Sequence, residues 1–139
     1  PHAVPLPRPL AGSREPHFSF AGLKSAVLRA HESGAHADAD IAASFQQAAV
    51  ECIADRLERA LDAMDPVDAL VVAGGVAANA RVRDALEAIA GARALRFVAP
   101  PPALCTDNAA MIAFAALLRH LAGERSPLEA DIHPNLPLV

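Results

Sequence analysis

No apolar run in these 139 residues reaches the roughly 18 needed to cross a bilayer before a charge or glycine interrupts it, which excludes a membrane-spanning helix. The opening, Pro1-His2-Ala3-Val4-Pro5-Leu6-Pro7, lacks a basic stretch followed by an apolar one, so no signal peptide is expected. Cysteine is scarce. Cys52 and Cys105 stand apart, neither in a Cys-x-x-Cys, both among small or apolar neighbours. Two such thiols make no disulfide framework, and a reduced, cytoplasmic setting is expected. Excess positive charge is also lacking. Twelve Lys and Arg against 16 Asp and Glu leave a net charge of −4, which excludes a whole-chain basic grip on nucleic acid and leaves room only for a local patch. The histidines (His2, His17, His31, His36, His120 and His133) show no His-x-x-x-His or similar ligand spacing and read as surface residues.

What is present is apolar. Hydrophobic residues make up 53% of the chain and charged residues 20%, which excludes a disordered tail and suits one domain. The alanine excess, and arginine in place of all but one lysine (Lys24), carry no chemistry of their own. A chain that starts on proline, with a linker-like opening, is expected to be a piece of a longer protein.

Residues 1–16 hold five prolines and Gly12, which predicts an extended connection. His17-Phe18-Ser19-Phe20 alternates aromatic and polar residues, the pattern of a short half-buried strand. After Gly22, Leu23 to Ala30 suits a short helix. Asp38 or Asp40 is placed to cap a long helix whose apolar stripe is Ile41, Phe45, Ala48, Cys52, Leu57, Leu61 and Met64, with Pro66 as its stop. Ala69 to Ala73 is a continuous apolar run, expected to be a strand covered on both faces, as in a parallel sheet. A helix from about Ala78 to Ala90 with Gly91 at its end, a strand from Leu95 to Val98, and a last helix capped by Thr106 or Asp107 and closed by Gly123 complete the reading. Strands alternating with helices predict an α/β fold, a short parallel or mixed sheet of about three strands under heavy helix cover.

Three places are candidates for chemistry. Val71-Val72-Ala73-Gly74-Gly75-Val76-Ala77-Ala78-Asn79 takes a buried strand through two glycines into a helix. Glycines let backbone approach a ligand, and a helix start offers free N–H groups to a phosphate; the same residues also suit a plain tight turn. Pro100-Pro101-Pro102-Ala103-Leu104-Cys105-Thr106-Asp107-Asn108 delivers a carboxylate to a helix start, where it serves either a metal or sugar hydroxyl, or a helix cap. Phe18-Ser19-Phe20-Ala21-Gly22-Leu23-Lys24 reads as core aromatics and a solvated lysine. Arg81, Arg83, Arg93 and Arg96, diluted by Asp84 and Glu87, read as a solvated basic face.

Taken together, these stretches resemble one family. Phe18 to Lys24 is similar to its F-S-F-S-G-L-K motif, Asp40-Ile41-Ala42-Ala43-Ser44-Phe45-Gln46 to D-I-A-x-x-F-Q, Ala73 to Asn79 to A-G-G-V-x-A-N, and Cys105 to Ala113 to C-T-D-N-G/A-A-M-I-A. The family is the tRNA N6-adenosine threonylcarbamoyltransferases, formerly described as O-sialoglycoprotein endopeptidases. The resemblance implies the actin/Hsp70/sugar-kinase fold, of which this chain would be the C-terminal lobe. It implies transfer of threonylcarbamoyl from threonylcarbamoyl-adenylate to N6 of the adenosine beside a tRNA anticodon. It implies a bound iron or zinc with Asp107 as one ligand, an adenylate or ATP-like nucleotide against Gly74, Gly75 and Asn79, and companion proteins of the transfer complex (TsaB- and TsaE-like in bacteria).

Two departures bear on this. Ala80 stands where the family often has Arg, with Arg81 one place on, and Ala21 replaces a Ser, so no hydroxyl acts there. The family's H-x-E-G-H metal motif does not occur in these residues. The expected organisation is therefore a linker at 1–16, a lobe at 17–126 and an irregular tail at 127–139, inactive without an N-terminal lobe and prone to self-association. The alternatives are a stand-alone nucleotide-binding or interaction module without catalysis, and a metallopeptidase.

Overall fold

The computed structural model describes residues 1–14, 17–127, 129 and 131. It divides into two compact units, Pro1–Thr106 and Asp107–Val139, so the span expected as one lobe parts between Thr106 and Asp107. Most of the expected tail, His133 included, lies outside the described residues.

The first unit is built on two antagonistic demands, a helix stripe that must be covered and a proline-rich opening that cannot form a helix. Helix α1 spans Ala21–Glu32 and α2 spans Asp38–Ala63. The buried positions of α2 are Ile41, Ser44, Ala48, Cys52 and Arg56, at steps of three and four. The stripe is thus rotated from the one expected: Phe45 and Met64 are exposed, and Ser44 and Arg56 take the inner face. Both polar residues are satisfied there. The Ser44 hydroxyl accepts from Val4 N–H at 3.1 Å, and Arg56 pairs with Asp55 beside it. The opening segment provides the cover. Val4 and Leu6 join Leu23, Ile41 and Ala48 in the core, and Arg8 Nε donates to Glu51 Oε2 at 2.6 Å. Residues 1–14 contain no helix or strand, yet they pack as part of the unit rather than running free of it.

The cap expected from Asp38 or Asp40 is not made. Ala37, with extended ψ of 143°, is the N-cap, and its carbonyl accepts from Asp40 and Ile41 N–H. The two aspartates lie in the first turn, where their charge favours the helix dipole instead. At the other end Met64 turns extended ahead of Pro66, as expected.

Strands β1 (Ala69–Val71) and β2 (Arg96–Val98) pair in parallel, Leu70 opposite Phe97, joined through helix α3 (Ala80–Ala92). They are the two strands among the described residues, one fewer than expected. His17 to Phe20 is not a strand. Phe18 and Phe20 lie on one side of their segment and stack on each other at 6.3 Å, and Phe20 turns into the N-cap of α1. Nor is β1 covered on both faces, since Val71 is 67% exposed. Val82, Leu86 and Ala90 of α3 are buried, and α3 packs against α2 and β2. Gly91 does not end α3. The left-handed residue after it is Ala94, at φ 56°, with Leu95 N–H bonded back to the Ala90 carbonyl at 2.8 Å.

In the second unit, α4 spans Ala109–Leu121. Its cap is Asn108, whose Oδ1 accepts from Met111 N–H at 3.0 Å, and not Thr106 or Asp107. Gly123, at φ 86°, closes it as the sequence suggests. Met111, Ile112, Phe114, Leu117, Leu118 and Leu121 are all exposed. No helix is long and apolar enough to cross a membrane among the described residues.

Candidate substrate pocket

The glycine turn begins where β1 ends. Gly74 takes φ 88°, a region that L side chains rarely adopt, so a side chain there is strained even though the space around it is open. Gly75 is different. It starts a 3-10 turn, Gly75–Ala78, without positive φ, and a Cβ built on it meets nothing within 4 Å. The helix therefore does not follow the glycines at once, as the sequence suggests. The 3-10 turn intervenes and α3 starts at Ala80. Asn79 is the N-cap. Its Oδ1 accepts from Arg81 N–H at 3.0 Å and Val82 N–H at 3.2 Å. Both partners are donors, so the amide must present its oxygen to them, and its NH2 group is left over for something else.

Asn79 borders a cavity of about 760 Å³ wholly within the first unit. Gly75, Val76 and Asn79 form one wall; Phe45, Gln46, Ala49 and Ile53 of α2 form another; Phe20, Lys24 and Val27 close it from α1. The volume is in the range of small-molecule sites, and the lining is apolar with a few polar groups, as such sites are. Lys24 is the sole charged side chain in the lining, and the chain's single lysine. Three motifs separated in sequence thus converge on one space. Gly75 and Asn79 are brought together as expected, while Gly74 shapes the turn behind them.

Lys24, read from sequence as solvated, lines this pocket, and Phe45, read as a core-facing residue, opens onto it. Gln46, the last residue of the Asp40–Gln46 stretch, is also in the lining. Sequence periodicity alone cannot find such residues, because a pocket wall and a solvent face both tolerate polar and apolar groups alike.

Asp107 belongs to the second unit and is exposed. Among the described residues no three His, Cys, Asp or Glu come together as a metal set. His31, for one, is engaged with Asp38 at 2.9 Å. The residues present therefore do not make a metal site by themselves, and the ligand set and general base that a zinc peptidase needs are not assembled among them.

Arg83 is not on a solvated basic face. Its guanidinium donates to the Ala77 carbonyl from Nε and Nη2 (3.2 and 2.8 Å) and to the Pro100 carbonyl from Nη2 (2.9 Å). Arg93 is exposed, as that reading has it, and pairs with Asp62 at 2.6 Å.

The sequence matches the family model described as tRNA N6-adenosine threonylcarbamoyltransferase over residues 2–114, most of its length. The chain belongs to this family. Relatives bearing the same name include proteins of Erythrobacter litoralis (66% identical), Novosphingobium aromaticivorans (62%) and Bartonella bacilliformis (44%). Each comparison covers 97–99% of this chain and 40–41% of the relative. The chain thus spans about 40% of the length of the threonylcarbamoyltransferases it matches.

Proposed function

We propose that this chain is the C-terminal lobe, of the actin/Hsp70/sugar-kinase type, of an enzyme that moves threonylcarbamoyl from threonylcarbamoyl-adenylate to N6 of the adenosine next to a tRNA anticodon. The observation that carries the reading is the convergence of the Phe18–Lys24, Asp40–Gln46 and Ala73–Asn79 motifs on one cavity. A flat base fits between the α2 wall and the Gly75 turn, where the missing Cβ leaves room. The Asn79 NH2 group donates to it, and Lys24 offers positive charge to the anionic end of the adenylate. The apolar lining holds water away from an anhydride that hydrolyses readily.

In the transfer, the N6 nitrogen attacks the carbamoyl carbonyl carbon. A C–N bond forms, the C–O bond to the phosphate breaks, AMP leaves with the electron pair, and N6 loses a proton. This chain's part is to bind and orient the adenylate. Asp107 would offer one carboxylate to an iron or zinc, and the chemistry such an ion supplies when bound would be polarisation of a carbonyl. The N-terminal lobe of the protein, tRNA and the companion proteins of the transfer complex complete the machinery, in the cytoplasm. Without them the chain is inactive and self-associates through the exposed apolar residues of α4.

The test is Gly75→Val in the full-length protein, assayed for threonylcarbamoyladenosine in tRNA by nucleoside mass spectrometry, with a melting curve as control. A folded variant with modification reduced tenfold or more supports the reading, and a folded variant with normal modification overturns it. One observation supports a second reading, binding without catalysis: every lining residue of the pocket lies within residues 1–106.

A further inference from the structure

We propose that Arg83 is a positioning residue that couples the Gly75–Asn79 wall of the pocket to the Pro100–Cys105 segment, so that a nucleotide seated on the one tightens the other. Arg83 projects from α3 one turn after the Asn79 cap, its own N–H bonded to the Asn79 carbonyl at 3.0 Å. Its guanidinium reaches in two directions. Toward the pocket it holds the carbonyl of Ala77, the buried member of the 3-10 turn, through two nitrogens. Toward β2 its Nη2 holds the Pro100 carbonyl at 2.9 Å and approaches Cys105 Sγ at 3.4 Å. Cys105 is itself buried, with Sγ 3.7 and 3.6 Å from the Pro100 and Pro101 carbonyls.

The two turns follow neighbouring parallel strands, at the strand ends where open α/β sheets take their ligands. Backbone alone does little to join them, since each turn's internal bonds stay within it: Ala77 to Gly74, and Leu104 and Cys105 to Pro101 and Pro102. Arg83 supplies a side-chain link, and it is spent on backbone carbonyls, with no carboxylate partner found among the described residues. A planar fork holds its donors in one fixed geometry toward both segments, whereas an ammonium is a compact group on a flexible stem without that preset spread. In sequence the Pro100–Cys105 segment runs directly into Thr106 and Asp107. The coupling arm of this inference rests on the nucleotide reading above; the mechanical link does not.

The test uses the full-length protein, wild type, Arg83→Met and Arg83→Lys. Iodoacetamide labelling of Cys105 and Cys52 is followed by peptide mass spectrometry, with and without AMP. Cys52 is buried in α2 and reports general loosening. Expected in the wild type is slow labelling of Cys105, slowed a further threefold by AMP. In Arg83→Met, Cys105 labels about tenfold faster, Cys52 is unchanged and the AMP effect on Cys105 disappears; Arg83→Lys falls between. Equal acceleration of both cysteines, an unmoved Cys105, or AMP protection that survives in Arg83→Met overturns the proposal. A wild type that binds no AMP refutes the nucleotide reading, and with it the coupling. The Cys105-to-Cys52 comparison then still decides whether Arg83 ties the two turns.

Discussion

Asn79 carries two jobs on one side chain, and the structure separates them. The Oδ1 atom caps α3 through Arg81 and Val82 N–H, and Val82 is buried just inside that first turn. The NH2 group is free of that duty, and Asn79 lines the pocket. Asn79→Ala removes both. Loss of an N-cap costs about 1 kcal/mol, which for a domain of this size lowers the melting temperature by roughly 4 °C. Asn79→Asp keeps an acceptor for both N–H groups and places a negative charge at a helix start, which favours the helix by about 0.3–1 kcal/mol. It removes the donor, which is worth about 1 kcal/mol, and sets a carboxylate beside an anionic ligand. At about 1.4 kcal/mol per tenfold, the two effects together weaken AMP binding about tenfold or more. Expected in the full-length protein is therefore an Asn79→Asp variant as stable as wild type by calorimetry, with AMP affinity down at least tenfold by titration calorimetry. Asn79→Ala is expected to lose both stability and affinity. An Asn79→Asp protein that binds AMP like wild type would show that the side chain is only a cap, and the reasoning from its leftover NH2 group would fail.

Other consequences are as direct. Lys24→Met is expected to weaken AMP binding several-fold while leaving adenosine binding unchanged, because Lys24 is the only charge in the lining; equal losses for both ligands would place its contribution elsewhere. The Arg8 bond, ahead of the opposing effect of burial, holds the Glu51 carboxyl below its ordinary range. A lowered carboxylate pKa stabilises the fold above the unfolded value, and that contribution is lost as pH falls through the folded one. The melting temperature of wild type should therefore drop more steeply than that of Glu51→Gln on the acid side of the ordinary glutamate range, and parallel curves would refute the link. Ile112→Glu with Leu121→Glu, both changed at residues over 70% exposed, is expected to reduce self-association of the isolated chain in sedimentation experiments. Unchanged sedimentation would remove α4 from that role.

The sequence by itself determined the α/β class, the four helices of the described residues to within a few residues, the turn at Gly74 and the family. These are local properties: an apolar period, a proline stop, a φ that only glycine takes easily, a motif read in order. The α2 stripe shows where that reach ends. Periodicity marked α2 as amphipathic, but Ser44 and Arg56 faced inward because Val4 N–H and Asp55 were there to satisfy them, and Phe45 faced outward because a pocket lay beside it. Phe18 and Phe20 alternated like a strand but stacked on each other, and among the described residues neither strand pairs with their segment. Gly75 and Asn79 were legible in their motif as parts of one turn, and both line the pocket. The pocket positions of Lys24 and Gln46, and the bond from Arg83 to Pro100, were not legible, because they depend on segments 17 or more residues away that only folding brings within reach. Tertiary structure alone decided that three scattered motifs line one cavity, and that Arg83 is bonded to two turns.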